Sequence, residues 1–177
     1  MKVDFKNIFH DLIDEYYCII KLPFEFPRYN EGSDLDILCF DINETSNKII
    51  SHIHKLVNSS VTVEVQEGKN KIQIDILENS KIHFRFDLYG KLPSYKNILI
   101  KDSLFSSVIE NSITIEIENI KIKVPNHIDE AILRYIEFHE FFSSRPDKLK
   151  HIENIEILIK NNSLKIEDFY KKLHYYI

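Results

Sequence analysis

The chain reads as an α+β protein: a mixed β-sheet with helices on one side, followed by a C-terminal helical tail. Three observations predict this. Three apolar-alternating segments lie close together between residues 61 and 89, joined by short turns. A further alternating stretch spans 112–124. Helical periodicity governs the N-terminus and everything after residue 125.

The elements follow in chain order. Residues 4–20 predict a helix, because Phe5, Ile8, Phe9, Leu12, Ile13 and Tyr16 keep the i, i+3, i+4 rhythm, with Asp4 as N-cap. Pro23 and Pro27 force an extended loop. Leu35 to Phe40 is the first strand, and residues 45–57 form a second helix with Ile49, Ile53 and Leu56 on one side. The segments VTVEVQ (61–66), KIQIDIL (71–77) and KIHFRFDLY (81–89) are separated only by EGKN and ENS, which predicts an antiparallel meander. SITIEIENIKIKV (112–124) predicts a hairpin turning at Glu118-Asn119. Pro125-Asn126 opens a helix, with Asn126 as N-cap and Asp129 three residues on. Helices at about 147–160 and 164–175 complete the chain. The expected division is a core over 1–124 and a helical tail over 125–177 packed on it.

Composition narrows the function classes. With 44% hydrophobic residues the 177-residue chain can bury a core, and general disorder is excluded. A formal charge of −5 argues against extensive nucleic-acid binding through the phosphate backbone. A nucleotide ligand stays open, since metal ions can meet its phosphates. No apolar run is long enough to span a bilayer, so no membrane insertion is expected. The N-terminus carries acids throughout and lacks a small-residue cleavage site, so it does not read as a secretion signal. Cys18 and Cys39 sit in apolar surroundings and read as two buried thiols of a cytoplasmic protein.

The chemistry-bearing stretch is RYNEGSDLDILCF, residues 28–40. Alternate strand residues share a face, so Asp34 and Asp36 point one way and Leu35 and Ile37 the other. Neighbouring carboxylates repel, and each raises the other's pKa. A divalent cation between them removes that penalty, and hard oxygen ligands suit Mg²⁺ or Mn²⁺. The plain alternative is two solvated aspartates at a strand edge, the first capping a turn. Asp87 stands in an apolar strand and shares a face with His83 and Arg85. It is expected to pair with Arg85 or a neighbouring Lys, or to be a third metal ligand. Asp75 competes for that role, although Lys71, Gln73 and Asp75 form an ordinary polar face. Gly32, directly before the paired aspartates, lets backbone approach a ligand closely.

Gly-Ser-Asp-x-Asp before an apolar strand, with a later hydrophobic-Asp-hydrophobic strand, resembles the nucleotidyltransferase fold superfamily, the polymerase-beta-like group. The likeness is nearest to small stand-alone nucleotidyltransferases, some of them associated with bacterial surface polysaccharides. In these a Leu-Pro loop precedes the Asp-x-Asp strand, as in KLPFEFPRYNEGSDLDIL. The specific likeness covers residues 19–40 and 82–90. It implies that Asp34, Asp36 and Asp87 hold two Mg²⁺ ions, and that an acceptor hydroxyl attacks the α-phosphorus of an NTP in line, with pyrophosphate leaving. Asp87 would lie nearest the acceptor and serve as its base. Gly32 and Ser33 would touch phosphate oxygens. Many members carry an upstream Gly-Ser pair that binds the triphosphate; residues 16–22 read YYCIIKL instead, and Lys21 or Arg28 would replace it. Arg85 is expected in a salt bridge, with a phosphate contact as its second reading.

The expected partners are therefore an NTP and an acceptor that the sequence does not identify. Two rivals remain. A degenerate, non-catalytic member of the same fold would act as a binding protein of the antitoxin type. An Asp-x-Asp glycosyltransferase would need a nucleotide-binding α/β half before the motif, and only about thirty residues precede it.

Overall fold

A computed structural model of the chain describes residues 2–163 and 165–177. The chain forms two compact units. The first runs to Lys91 and takes in Ser112–Val124; the second comprises Leu92–Asn111 and Pro125–Ile177.

The first unit contains α1 (Phe5–Leu12), β1 (Tyr17–Ile20), β2 (Ser33–Cys39), α2 (Ile42–Ile53), β3 (Val61–Glu67), β4 (Lys71–Glu78) and β5 (Lys81–Tyr89). Five strands form one sheet in the order β1-β2-β5-β4-β3. The meander β3-β4-β5 and the β1-β2 pair are antiparallel, whereas β2 and β5 run parallel, so the sheet is mixed as expected.

Alternation splits this sheet into two faces. Leu35 and Ile37 of β2, Ile72, Ile74 and Ile76 of β4, and Phe84, Phe86 and Leu88 of β5 are buried on one of them. They pack with Phe5, Ile8, Phe9 and Leu12 of α1 and with Ile49 and Ile53 of α2. Phe5 alone meets the rings of Phe9, Phe26, Tyr29, Phe84 and Phe86 at centroid distances of 5.1–6.2 Å. Full burial of each such side chain stabilises by about 1.5–3 kcal/mol, so the core of this unit lies here. The hairpin β6 (Ile113–Ile117) and β7 (Ile120–Val124) adds Ile120 and Ile122 to the same cluster. Its turn places Glu118 and Asn119 at φ 50° and 63°, as the sequence places them.

The second unit contains α3 (Ser103–Glu110), α4 (His127–Phe141), α5 (Lys150–Asn161) and α6 (Ile166–Tyr176). Asn126 caps α4 as predicted, accepting from the N–H groups of Ile128 and Asp129. A 3₁₀ turn at Pro146–Leu149 leads into α5. The predicted last helix begins two residues before α6, at 164, which lies outside the described residues.

One expectation is corrected. The helix predicted over 4–20 ends at Leu12, and Tyr17–Ile20 is a strand. Tyr16, which extended the helical rhythm, is 66% exposed, while all four residues of β1 are buried. A short run buried on both faces fits a strand as well as a helix, and pairing with β2 decides it. Helix α3 was not anticipated by the sequence pattern.

Candidate active site

The parallel register of β2 and β5 builds the site. Asp36 lies opposite Asp87, and Asp34 lies opposite Arg85. On the other side of β5, Gln73 lies opposite Asp87, Asp75 opposite Arg85, and Lys71 opposite Tyr89. Residues opposite one another in paired strands share a face. All eight therefore stand on the face of the sheet turned away from the apolar cluster. The three carboxylates singled out by the sequence are brought to one place by strands whose Asp36 and Asp87 are far apart in the chain.

Two ammonium groups meet them. Lys21 Nζ stands 2.8 Å from Asp36 Oδ2. Lys71 Nζ stands 2.9 Å from Asp87 Oδ2, and 5.0 Å from the centre of the Tyr89 ring. The Tyr89 hydroxyl donates to the same Asp87 Oδ2 at 3.4 Å. Asp87 Oδ1 is buried and has no hydrogen-bond partner. A buried carboxylate oxygen left unpaired is costly and calls for an explanation.

The electrostatics follow from this crowding. Burial, then the charges of Asp36 and Asp87, raise the Asp34 carboxyl above its usual range, and Lys21 opposes them. Burial, with the same two carboxylates behind it, pushes the Tyr89 hydroxyl well above an ordinary phenol. Tyr89 is therefore a hydrogen-bond donor here at any physiological pH.

Asp75 and Arg85 form a separate pair. Arg85 donates to both Asp75 oxygens, at 2.5 and 3.1 Å, and Gln73 adds a third bond at 3.0 Å. Burial alone would raise the Asp75 carboxyl, but the bonds from Arg85 and Gln73 outweigh it and hold the group below its usual value. Arg85 is thus engaged with Asp75 of the neighbouring strand.

The loop before β2 is tied down from within. Gly32 has φ 80° and donates its N–H to the carbonyl of His83, while Ser33 N–H donates to the carbonyl of Asn30. Ser33 Oγ accepts from Asn30 N–H at 3.1 Å. Both backbone N–H groups are thus engaged within the protein, and the Ser33 hydroxyl keeps a hydrogen to donate. Arg28 pairs with the exposed Glu118 at 2.7 Å. With Asn30, Ser33 and Asp34 it lines a cavity of about 370 Å³ walled by Phe5, Phe26 and Phe84.

The chemistry of the donor set fits a hard divalent cation: three carboxylates on one face, one of them with an unpartnered buried oxygen. Two of them, Asp36 and Asp87, are turned to lysines. Among the described residues no group of three or more His, Cys, Asp or Glu side chains stands ready to hold a metal ion. The neighbouring lysine expected beside Asp87 is Lys71. Sequence reasoning missed Tyr89, whose signal was the period of two that puts it on the polar face of β5 with Asp87.

No family model and no curated protein matches the chain. Solved structures do. A protein of H. pylori described as a nucleotidyltransferase shares 12% identity at a TM-score of 0.38, over 94% of this chain and 87% of its own. An antigenic nucleotidyltransferase-like protein from Paracoccidioides brasiliensis shares 14% at 0.47, over 86% and 72%. The Megavirus polyadenylate synthase shares 8% at 0.44, over 94% of this chain and 37% of its own. Two of these three are described as nucleotidyltransferase or nucleotidyltransferase-like proteins. Among the described residues no helix is long and apolar enough to cross a membrane.

Proposed function

We propose that the chain is a metal-dependent nucleotidyltransferase that moves a nucleoside monophosphate from an NTP to a small-molecule acceptor, a sugar or sugar phosphate being the preferred class. The observation that carries this reading is the β2-β5 register. It sets Asp36 beside Asp87, with Asp34 on the same face and Asp87 Oδ1 buried without a partner.

In this reading Asp34, Asp36 and Asp87 hold Mg²⁺ or Mn²⁺, which when bound neutralises charge developing on the phosphates and lowers the pKa of the acceptor hydroxyl. Asp87 takes the acceptor's proton. Lys21, next to Asp36, and the Ser33 hydroxyl meet phosphate oxygens. Arg28, on the wall of the cavity that reaches Asp34, steers the anionic part of a ligand.

The test is thermal unfolding with each NTP, with and without Mg²⁺ or Mn²⁺, on the wild type and Asp36→Asn. A ligand that binds only the folded state raises the melting temperature. A rise that needs both metal and one NTP, and is lost in Asp36→Asn, supports the reading and identifies the base. The same rise in both proteins sinks it. The lysines on Asp36 and Asp87 favour a second reading, a protein that keeps the fold as a binding partner without turnover. That reading expects no NTP response at all.

A further inference from the structure

The two lysines need an explanation that the carboxylates alone do not give. Lys21 directly follows β1, where Ile20 lies opposite Asp36, and it holds a left-handed backbone with φ 54°. A non-glycine residue adopts that conformation at a cost, and from it Nζ reaches Asp36. Lys71 opens β4, and its Nζ lies near both Asp87 and the Tyr89 ring. Asp87 Oδ1 is thus left without a partner, while Asp36 and Asp87 each already have a cation on Oδ2.

A divalent cation bound to those oxygens sits at roughly 2.0–2.6 Å from them. An ammonium group within 3 Å of the same oxygens repels it and has to move. Three carboxylates and two lysines leave the cluster one negative charge. Two divalent cations alone would turn it to three positive charges, with both lysines facing the metals. A triphosphate with four negative charges, arriving with the metals, restores the original single negative charge and gives each displaced lysine a new anion.

Resting on the nucleotidyltransferase reading, we propose that Lys21 and Lys71 are built-in counter-ions that close the site to free metal and pass to the triphosphate when metal and nucleotide enter together. Metal binding and triphosphate binding are then mutually dependent, and Lys71 is a phosphate-positioning residue. Free metal binds the resting site weakly.

The experiment uses the full chain and two base-free probes, Mn²⁺ alone and Mn²⁺ with inorganic tripolyphosphate. Binding of Mn²⁺ alone is followed by the loss of its free-ion electron paramagnetic resonance signal. Binding of the mixture is followed by thermal unfolding. The proteins are the wild type, Lys71→Gln, Lys21→Gln, Lys71→Arg and Asp36→Asn, each checked for folding by circular dichroism. Removing one competing positive charge should tighten Mn²⁺ binding in either Gln variant by about tenfold, the equivalent of one pKa unit in a carboxylate's free energy. The same variants should lose most of the extra stabilisation given by tripolyphosphate. Lys71→Arg, which keeps the charge, should behave as the wild type. A merely structural lysine would not improve metal affinity when removed.

Unchanged or weaker Mn²⁺ binding in both Gln variants overturns the counter-ion role. If, in that case, the wild type still responds to Mn²⁺ with tripolyphosphate and Asp36→Asn does not, the metal-site reading stands and only this inference falls. If the wild type and Asp36→Asn respond alike to every probe, both fall.

Discussion

Replacing Asp75 by Asn takes away the charge that holds Arg85 by two bonds, at 2.5 and 3.1 Å, from a side chain only 5% exposed. Removing one partner of a buried ion pair costs about 3–5 kcal/mol, because the other charge is left uncompensated. The Arg85 side chain keeps 29% exposure, so water takes up part of that loss, and Asn keeps one acceptor oxygen. A loss of about 2–3 kcal/mol follows, or about 5–10 °C in melting temperature at this chain length. The pH dependence fixes the cause. The Asp75 carboxyl is held below its unfolded value of 3.8, so its contribution is fully present above that pH and fades as pH falls through the folded value. Urea denaturation of both proteins at neutral pH, about pH 5 and about pH 3 should show a gap that narrows only at the lowest pH. A gap below about 0.5 kcal/mol at neutral pH, or one that stays constant to pH 3, refutes the argument. Asp87→Asn is the matched control: Lys71, 40% exposed, returns to water, so stability changes by less than about 1 kcal/mol. The metal-dependent nucleotide response should survive Asp75→Asn and vanish in Asp87→Asn.

Three further outcomes are expected. Asp34→Asn should stabilise the fold by up to about 0.5 kcal/mol at neutral pH, since burial and the Asp36 and Asp87 charges disfavour the ionised group; the gain should disappear below about pH 4, where the folded and unfolded carboxyls are both protonated, and urea melts read it directly. Cys39, whose thiol is pushed up to about 12 by burial, should resist alkylation at pH 8 in the native protein and react only on unfolding, as mass spectrometry would show. Asn126→Ala should cost about 1 kcal/mol through loss of two bonds to the first turn of α4, seen as a lower urea midpoint with an unchanged slope.

The meander β3-β4-β5 was legible because alternation and short turns are local signals. The hairpin at Glu118-Asn119 and the Asn126 cap were legible for the same reason. Helix and strand compete for a short apolar run such as YYCIIKL, and only its partner settles the matter, so β1 was misread. The aspartates at 34 and 36 stood out because repelling carboxylates at the start of a core strand need a cause. The parallel pairing of β2 with β5 was not legible. Nothing in either segment states which strand lies beside it, or in which register. The Lys71–Asp87 and Asp75–Arg85 pairs follow from the β4–β5 register of the meander, whereas the Lys21–Asp36 pair depends on the β1–β2 pairing and was hidden with β1.

The division of the sheet into two faces has a consequence for how variants behave. Stability of the first unit resides in the apolar face, where Phe86, Ile37 and Ile74 are fully buried and each truncation leaves a cavity costing several kcal/mol. The polar face contributes little to the fold, apart from the Asp75–Arg85 pair, because its lysines can return to water. Charge on this face can therefore be rearranged without disturbing the core beneath it. A protein whose stability depended on the lysine–aspartate pairs would lose its fold when a metal–nucleotide complex broke them. Here those contacts are made by side chains that remain partly exposed, Lys71 at 40% and Lys21 at 27%, and they are exchangeable for that reason.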